Sequence, residues 1–291
     1  MRSDQLPTVA AITMVRDEGT MLPRWVAHYS RELGADHLVV VDDNSEDGST
    51  DHLPCPVIRL PPITREFEAS RMGILSDLAA MLLNAYDAVI FTDADEFLVA
   101  DPDRFASLRH FAARRRKDVV GAVGLNVVQL GEEGPLDPGR PVLDQRAAAK
   151  FLPLMCKPAL KRVPARWRWA SHGIMAPYTV DPELVMFHLK FADRGLLFEQ
   201  GEHRRRMVET DGRAATTSWR LGGHEMMTLM DHIAEQGRST TLEPFVARPR
   251  MLKQVVENRP DGSYRAVGAG QMQAMERRPL VGIPERFRGR V

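Results

Sequence analysis

Two cysteines in 291 residues, Cys55 and Cys156, exclude a disulfide scaffold, and neither has the Cys-x-x-Cys partner that a zinc ribbon needs. Long apolar runs are also missing. No stretch approaches the roughly 20 residues that cross a bilayer, and Met1 to Pro7 lacks the apolar core of a signal peptide. Charge of one sign is absent as well: Lys+Arg and Asp+Glu are both 39, so the formal net charge is zero. Nothing global therefore calls for nucleic acid or an acidic membrane. The local basic clusters Arg114-Arg115-Arg116-Lys117 and Arg204-Arg205-Arg206 read as solvated helix faces. The expected location is cytoplasmic and reducing, with peripheral attachment at the inner membrane face compatible with it.

What is present is an ordinary globular composition, 44% hydrophobic and 27% charged, in a chain long enough to bury a substantial core. Val9 to Val15 reads as a buried strand. Leu22, Trp25, Val26, Tyr29 and Leu33 then recur at helical spacing up to Gly34, and His37 to Val41 is a second β-branched run. Strand, helix, strand at this distance is a βαβ unit with a parallel pair. Val57 to Leu60 supplies another strand. A helix follows over Glu66 to Asn84, with Ile74, Leu75, Leu78, Met81 and Leu82 on its apolar side, and then a strand over Ala88 to Thr92. The alternation predicts an α/β fold with a mostly parallel central sheet flanked by helices.

Beyond it, the patterns predict a helix over Asp103 to Arg116 and strands over Val119 to Val128 and Leu184 to Phe191. Gly131 to Gly139 reads as a loop, and Lys150 to Tyr178 is irregular. Helical patterns return at Phe198 to Asp211 and Glu225 to Gln236, and the tail from Arg238 has no clear period. A boundary near Ala192 divides the α/β unit, residues 1–192, from a partly helical C-terminal extension, residues 193–291.

The chemistry concentrates where strands end. Asp93 and Asp95 stand at i, i+2 after an apolar run, so in extended chain both carboxylates point to one face. Two like charges there repel unless a cation lies between them, and all-oxygen ligation suits Mg2+ or Mn2+. Taken alone, such a pair is more often a solvated strand end. The loop from Asp42 to Asp51 imitates a calcium loop, but its twelfth position is Pro54 rather than Glu, which rules that out. Asx-type turns account for Asn44, Ser45, Gly48 and Ser49. Asp42, directly after three valines, needs a buried partner. Arg16-Asp17-Glu18 follows the first strand, placed either at the rim of a ligand crevice or as a helix start with acids at the positive end of the dipole.

Taken in order, Met14-Val15-Arg16-Asp17-Glu18, Leu22-Pro23-Arg24-Trp25-Val26-Ala27-His28-Tyr29, Asp42-Asp43-Asn44-Ser45-Glu46-Asp47-Gly48 and Asp93-Ala94-Asp95-Glu96-Phe97 resemble the family-2-like glycosyltransferases of the GT-A fold. The match covers Ala10 to Val99 and is thin beyond. The resemblance implies that a sugar moves from a nucleotide-diphosphate donor, UDP-linked as first choice, to an acceptor hydroxyl on a carbohydrate or lipid-linked molecule, with inversion. It implies donor contacts from Val15, Arg16, Glu18, Asp42, Asp43, Arg71, Asp93 and Ala94. Mn2+ or Mg2+ would be held by Asp93, Asp95 and His188, with His172 the second choice of histidine; without the resemblance His188 reads as a packed core residue. Asp95 and His172 are the catalytic candidates, and Glu96, Asp181 and Glu183 compete with His172 as general base. Lys157 is a candidate phosphate contact that, without the resemblance, reads as a surface residue. Trp167, Trp169 and Tyr178 are candidates to stack on an acceptor ring or to fill a core. Two alternatives stay open: a nucleotidyltransferase on a similar sheet, for which the expected Gly-rich loop is missing, and a non-catalytic nucleotide-sugar-binding module. A haloacid-dehalogenase-type phosphatase would carry its acid pair after the first strand, not a later one.

Overall fold

The computed structural model describes residues 5–212, 221–238 and 241–291. Strand β1 (Val9–Val15) is buried at every position, and α1 (Met21–Leu33) carries the chain over to β2 (Leu38–Asp42), which pairs with it in parallel. Helix α1 forms where its sequence repeats with a helical period: Leu22, Trp25, Val26, Tyr29 and Leu33 are all buried, and Gly34 ends the helix at φ 103°, a conformation that favours glycine. Trp25 Nε1 donates to Thr92 Oγ1 at 2.8 Å, and Leu98 N donates to the Tyr29 hydroxyl at 3.0 Å. These bonds tie α1 to the segment that holds the acid pair.

Strand β3 (Val57–Arg59) adds in parallel to β2, and after α2 (Phe67–Leu82) β4 (Ala88–Phe91) adds in parallel to β1. The buried side of α2 is Met72, Leu75, Ser76 and Ala79, a stripe turned away from the expected one, and Met81 is 59% exposed. Apolar residues around most of this helix blur the helical period, so pattern alone does not fix its inner face.

Strand β5 (Glu96–Ala100) follows the acid pair, then α3 (Leu108–Arg114), β6 (Val119–Val128), β7 (Ala148–Phe151) and β8 (Pro158–Lys161). Helix α3 starts five residues later than expected. Asp101 instead closes a turn, its carbonyl accepting from Arg104 N and Phe105 N, and Ser107 caps the helix. Two short strands, β9 (Trp167–Arg168) and β10 (Gly173–Ile174), precede the long β11 (Thr179–Phe191). The chain closes with α4 (Arg194–Asp211), α5 (Gly223–Arg238), α6 (Pro249–Leu252), β12 (Val256–Asn258), β13 (Tyr264–Ala266), α7 (Gln271–Arg277) and β14 (Leu280–Gly282).

The main sheet runs β14-β7-β6-β8-β4-β1-β2-β3, with β11 beside β6 and β5 beside β11. It is mixed: β3-β2-β1-β4 is parallel, whereas β8 lies antiparallel between β4 and β6, and β7 and β14 continue antiparallel. The expected parallel character thus belongs to β3-β2-β1-β4 and to the pair β6-β11. A second sheet, β12-β13-β10-β9, is made from the region expected to be irregular and from the tail. Strands of two or three residues are too short to show a period of two. Residues beyond 192 contribute β14 to the main sheet, and the buried Lys150 Nζ donates to Gln236 and to the Met275 carbonyl. Among the described residues no helix is long and apolar enough to cross a membrane.

Candidate active site

In an open α/β sheet the carboxyl ends of parallel strands diverge into a crevice. Here β1 runs into Arg16-Asp17-Glu18, β2 into Asp43, and β4 into Asp93-Ala94-Asp95. All of these line one cavity of about 800 Å³, together with Val15, Arg71, His172 and His188. Asp42 does not reach it. Its carboxylate is fully buried beneath the loop, accepting from Ser45 N at 2.7 Å and Thr50 Oγ1 at 2.8 Å, with Arg59 Nε at 3.2 Å. Burial opposes its ionisation, yet these bonds outweigh burial and lower its pKa. The buried partner that the sequence demanded is thus the loop itself, and the acid that faces the cavity is Asp43, whose Oδ1 accepts from Ile63 N at 2.7 Å.

The acid pair sits in a tight turn and not in extended strand: Glu96 N donates to the Asp93 carbonyl at 3.0 Å, and β5 begins at Glu96. The two carboxylates therefore meet different surroundings. Asp93 accepts from Arg71 and, at 3.1 Å, from Lys157 Nζ. Lys157 also lies 2.6 Å from Glu96 Oε1. Desolvation disfavours the Asp93 charge, but the two cations prevail and hold its pKa far below the carboxylate range. Asp95 is 7% exposed, with Oδ2 3.3 Å from His188 Nε2 and 4.0 Å from an Arg204 nitrogen. Burial again opposes ionisation, and His188 and Arg204 overcome it to lower the pKa to about 2.

The repulsion that calls for a cation between the two aspartates is answered, for Asp93, by Arg71 and Lys157. Among the described residues no three His, Cys, Asp or Glu side chains form a cluster able to hold a metal ion. Two of the three expected ligands do face each other. His188 and Asn126 are partners across β11 and β6, and His188 Nδ1 donates to Asn126 Oδ1 at 2.7 Å. That bond leaves Nε2 facing Asp95 Oδ2, so one imidazole nitrogen and one carboxylate share a face of the cavity. This donor pair fits a hard or borderline divalent ion that takes its remaining ligands from phosphate and water.

Glu18 turns back to the start of α1, where its Oε1 accepts from Met21 N at 3.1 Å. Burial raises its pKa, with Asp95 adding to the effect. His172 Nδ1 donates to the Leu154 carbonyl at 2.9 Å, and burial together with Lys157 lowers its pKa to about 3. Near neutrality His172 is therefore a poor proton acceptor. Glu96 is almost fully buried against Lys157, and Asp181 and Glu183 pair with Arg115 without lining the cavity. None of the four stands out as a general base.

Several cavity residues escaped the sequence reading. Lys190 lines the wall two residues beyond His188, on the same face of β11, a placement that strand alternation makes legible once the strand is known. Arg204 also faces the cavity, whereas its neighbour Arg205 pairs on the surface with Glu202 and Glu209. The solvated reading of the Arg204 to Arg206 run therefore fails at its first member. Arg265 and Gln271 come from the tail, where no pattern announced them. Trp167 and Tyr178 are buried core residues; Trp169 lines the cavity and is 47% exposed.

No protein-family model and no curated protein matches the chain. Among solved structures it is similar to a mannosyltransferase from Pyrobaculum calidifontis in complex with GDP-Man and Mn2+, at 18% identity and a TM-score of 0.29, covering 44% of this chain and 37% of that one. It is similar to S. aureus TarS residues 1–349 at 12% identity and a TM-score of 0.33, covering 79% of each chain. It is also similar to a CMP:2-keto-3-deoxy-manno-octonic acid synthetase complexed with CTP, at 9% identity and a TM-score of 0.29, covering 54% of this chain and 65% of that one. The chain spans less than half the length of the mannosyltransferase. Likenesses this distant carry no argument about activity, which rests on the cavity.

Proposed function

We propose that the chain is a metal-dependent glycosyltransferase of the GT-A type that moves a sugar from a nucleotide-diphosphate donor, UDP-linked as first choice, to an acceptor hydroxyl with inversion. The observation that carries this reading is the convergence on one cavity of three parallel-strand ends, bearing Arg16, Asp43 and Asp95, with the Asp95–His188 pair beside them. The nucleoside fits the rim formed after β1 and β2, where Arg16, Glu18 and Asp43 present charged and hydrogen-bonding groups. A bound Mn2+ or Mg2+ supplies Lewis-acid charge to the donor diphosphate as the sugar leaves. Asp95 and His188 would hold that ion, and Asn126 would orient His188. Arg204 adds positive charge on the same side, favourable where negative charge builds on the leaving diphosphate, and Lys190, whose pKa burial and Arg204 lower to about 7, adds to it when protonated. Asp93, neutralised by Arg71 and Lys157, holds the turn that aims Asp95.

The test is turnover of nucleotide sugars with Mn2+ present or chelated, reading release of nucleoside diphosphate. Metal-dependent release that Asp95→Asn abolishes supports the assignment. Release of pyrophosphate from a nucleoside triphosphate instead would make the chain a nucleotidyltransferase. Metal-dependent nucleotide binding without turnover of any donor would leave a binding module.

A further inference from the structure

We propose that Trp169 and Arg265 form an acceptor subsite for an anionic sugar, a sugar acid or a sugar phosphate, at the edge of the cavity; this rests on the glycosyltransferase reading and names its acceptor class. Both residues belong to the small second sheet. Trp169 sits in the loop between β9 and β10, and Arg265 lies on β13, opposite Gly173 of β10. The carboxyl ends of β1 and β2 are the place for a nucleotide, so this separate wall faces the other reactant.

Three observations point to a ligand. The first is the backbone: Trp169, Ala170 and Ser171 are consecutive non-glycine residues at φ 57°, 50° and 69°. Each costs on the order of 1–2 kcal/mol in the left-handed region, and strain of this kind gathers at functional sites. The second is the exposed indole. Its Nε1 donates to Ser263 Oγ at 3.2 Å, which fixes the ring, and at Gly173 an added Cβ would stand 2.9 Å from Trp169 Cδ1. An aromatic face left open in a cavity wall, with its polar edge tied back, suits the apolar C–H face of a pyranose.

The third observation is the cation. The Arg265 guanidinium carbon lies 5.4 Å from the Trp169 ring centroid, and its Nε is buried without a hydrogen-bond partner. Among the described residues no carboxylate reaches ion-pair distance of Arg265. The carboxylate across from it on β12, Glu257, pairs instead with Arg259, so a further anion would be favourable beside this partly buried guanidinium, whose planar donors match a carboxylate or phosphate. A neutral sugar would stack on Trp169 and could offer the guanidinium a hydroxyl oxygen, but no compensating charge.

The probes are glucuronate, glucose 6-phosphate and glucose, titrated calorimetrically into the whole chain in the presence of Mn2+ and UDP. At least one anionic sugar is expected to bind roughly 10- to 100-fold tighter than glucose, the range of a charge-assisted hydrogen bond. Which of the two wins distinguishes carboxylate from phosphate. Arg265→Gln should erase the advantage, read as the ratio of anionic-sugar to glucose affinity within the variant. Trp169→Ala should weaken every sugar, and Trp169→Phe should recover most of the loss. Equal affinity for glucose and both anions, no binding of either anion, or an advantage that survives Arg265→Gln overturns the proposal. A parallel titration with UDP and Mn2+ separates the two readings: nucleotide binding without anion preference sinks the subsite alone, whereas anion preference without nucleotide binding sinks the glycosyltransferase assignment and leaves the subsite.

Discussion

Replacing Lys157 by Met removes one charge from the most buried ionic cluster of the cavity while keeping most of the side-chain volume. Lys157 is 6% exposed at its side chain and bridges Glu96, at 2.6 Å, and Asp93, at 3.1 Å. Asp93 would keep Arg71. Glu96, 2% exposed, would keep the Asp93 N–H, 3.2 Å from Oε2, and the longer-range pull of Arg71 and His188, but no ion-pair contact. An uncompensated buried charge of this kind costs about 3–5 kcal/mol, a large share of the roughly 5–15 kcal/mol that holds a domain folded. Burial already raises the Glu96 pKa above its ordinary 4.5 against the opposing pull of Lys157, and losing the lysine raises it further. The folded variant then binds the Glu96 proton more tightly than the unfolded chain does. Its stability must fall as pH rises from the unfolded value through the raised folded one. The loss relative to wild type is therefore full at high pH and shrinks as pH drops towards 4.5. Urea unfolding at pH 8 and pH 5 measures it. Adding Glu96→Gln to Lys157→Met should restore at least about half of the loss at pH 8, because the buried charge is gone. A variant within about 1 kcal/mol of wild type at pH 8, or a gap that does not narrow at pH 5, refutes this account of the cluster.

Three further outcomes follow from single contacts. Asn126→Ala removes the acceptor that orients His188, leaving Nδ1 only Gln271 Nε2 at 3.2 Å, and should weaken Mn2+ affinity about 10- to 100-fold by calorimetry; unchanged affinity would remove His188 from the proposed metal pair. Tyr29→Phe leaves the buried Leu98 N–H without its acceptor and should cost about 1–3 kcal/mol in urea unfolding. Gly124→Ala would drive a Cβ into the Met155 side chain and carbonyl, so a loss of about 1–3 kcal/mol or more is expected by thermal melting, and a neutral effect would contradict the packing of β6.

The half of the fold that the chain writes most clearly is the parallel one. Residues Val9 to Val15 are apolar apart from Thr13 because both faces of β1 are covered, and α1 shows its inner stripe because the opposite face is polar. The acid pair was legible as chemistry but not as geometry. Two aspartates at i, i+2 look alike in a strand and in a turn, and only the bond from Glu96 N to the Asp93 carbonyl separates the two cases. Asp42 was legible as a buried acid needing a partner, but the partner came from its own loop, through Ser45 and Thr50, and from Arg59. The remaining wall was not legible. Lys190, Arg204, Arg265 and Gln271 reach the cavity from elements of the second half whose order in space is set by long-range pairing such as β6 with β11, which leaves no local period to read.

The most direct test of the central claim is a calorimetric titration of UDP into wild-type protein and Asp95→Asn, each with Mn2+ or with chelator. The account predicts binding that requires Mn2+ in the wild type and is lost in the variant. UDP affinity that is indifferent to chelator, or unchanged by Asp95→Asn, would contradict it.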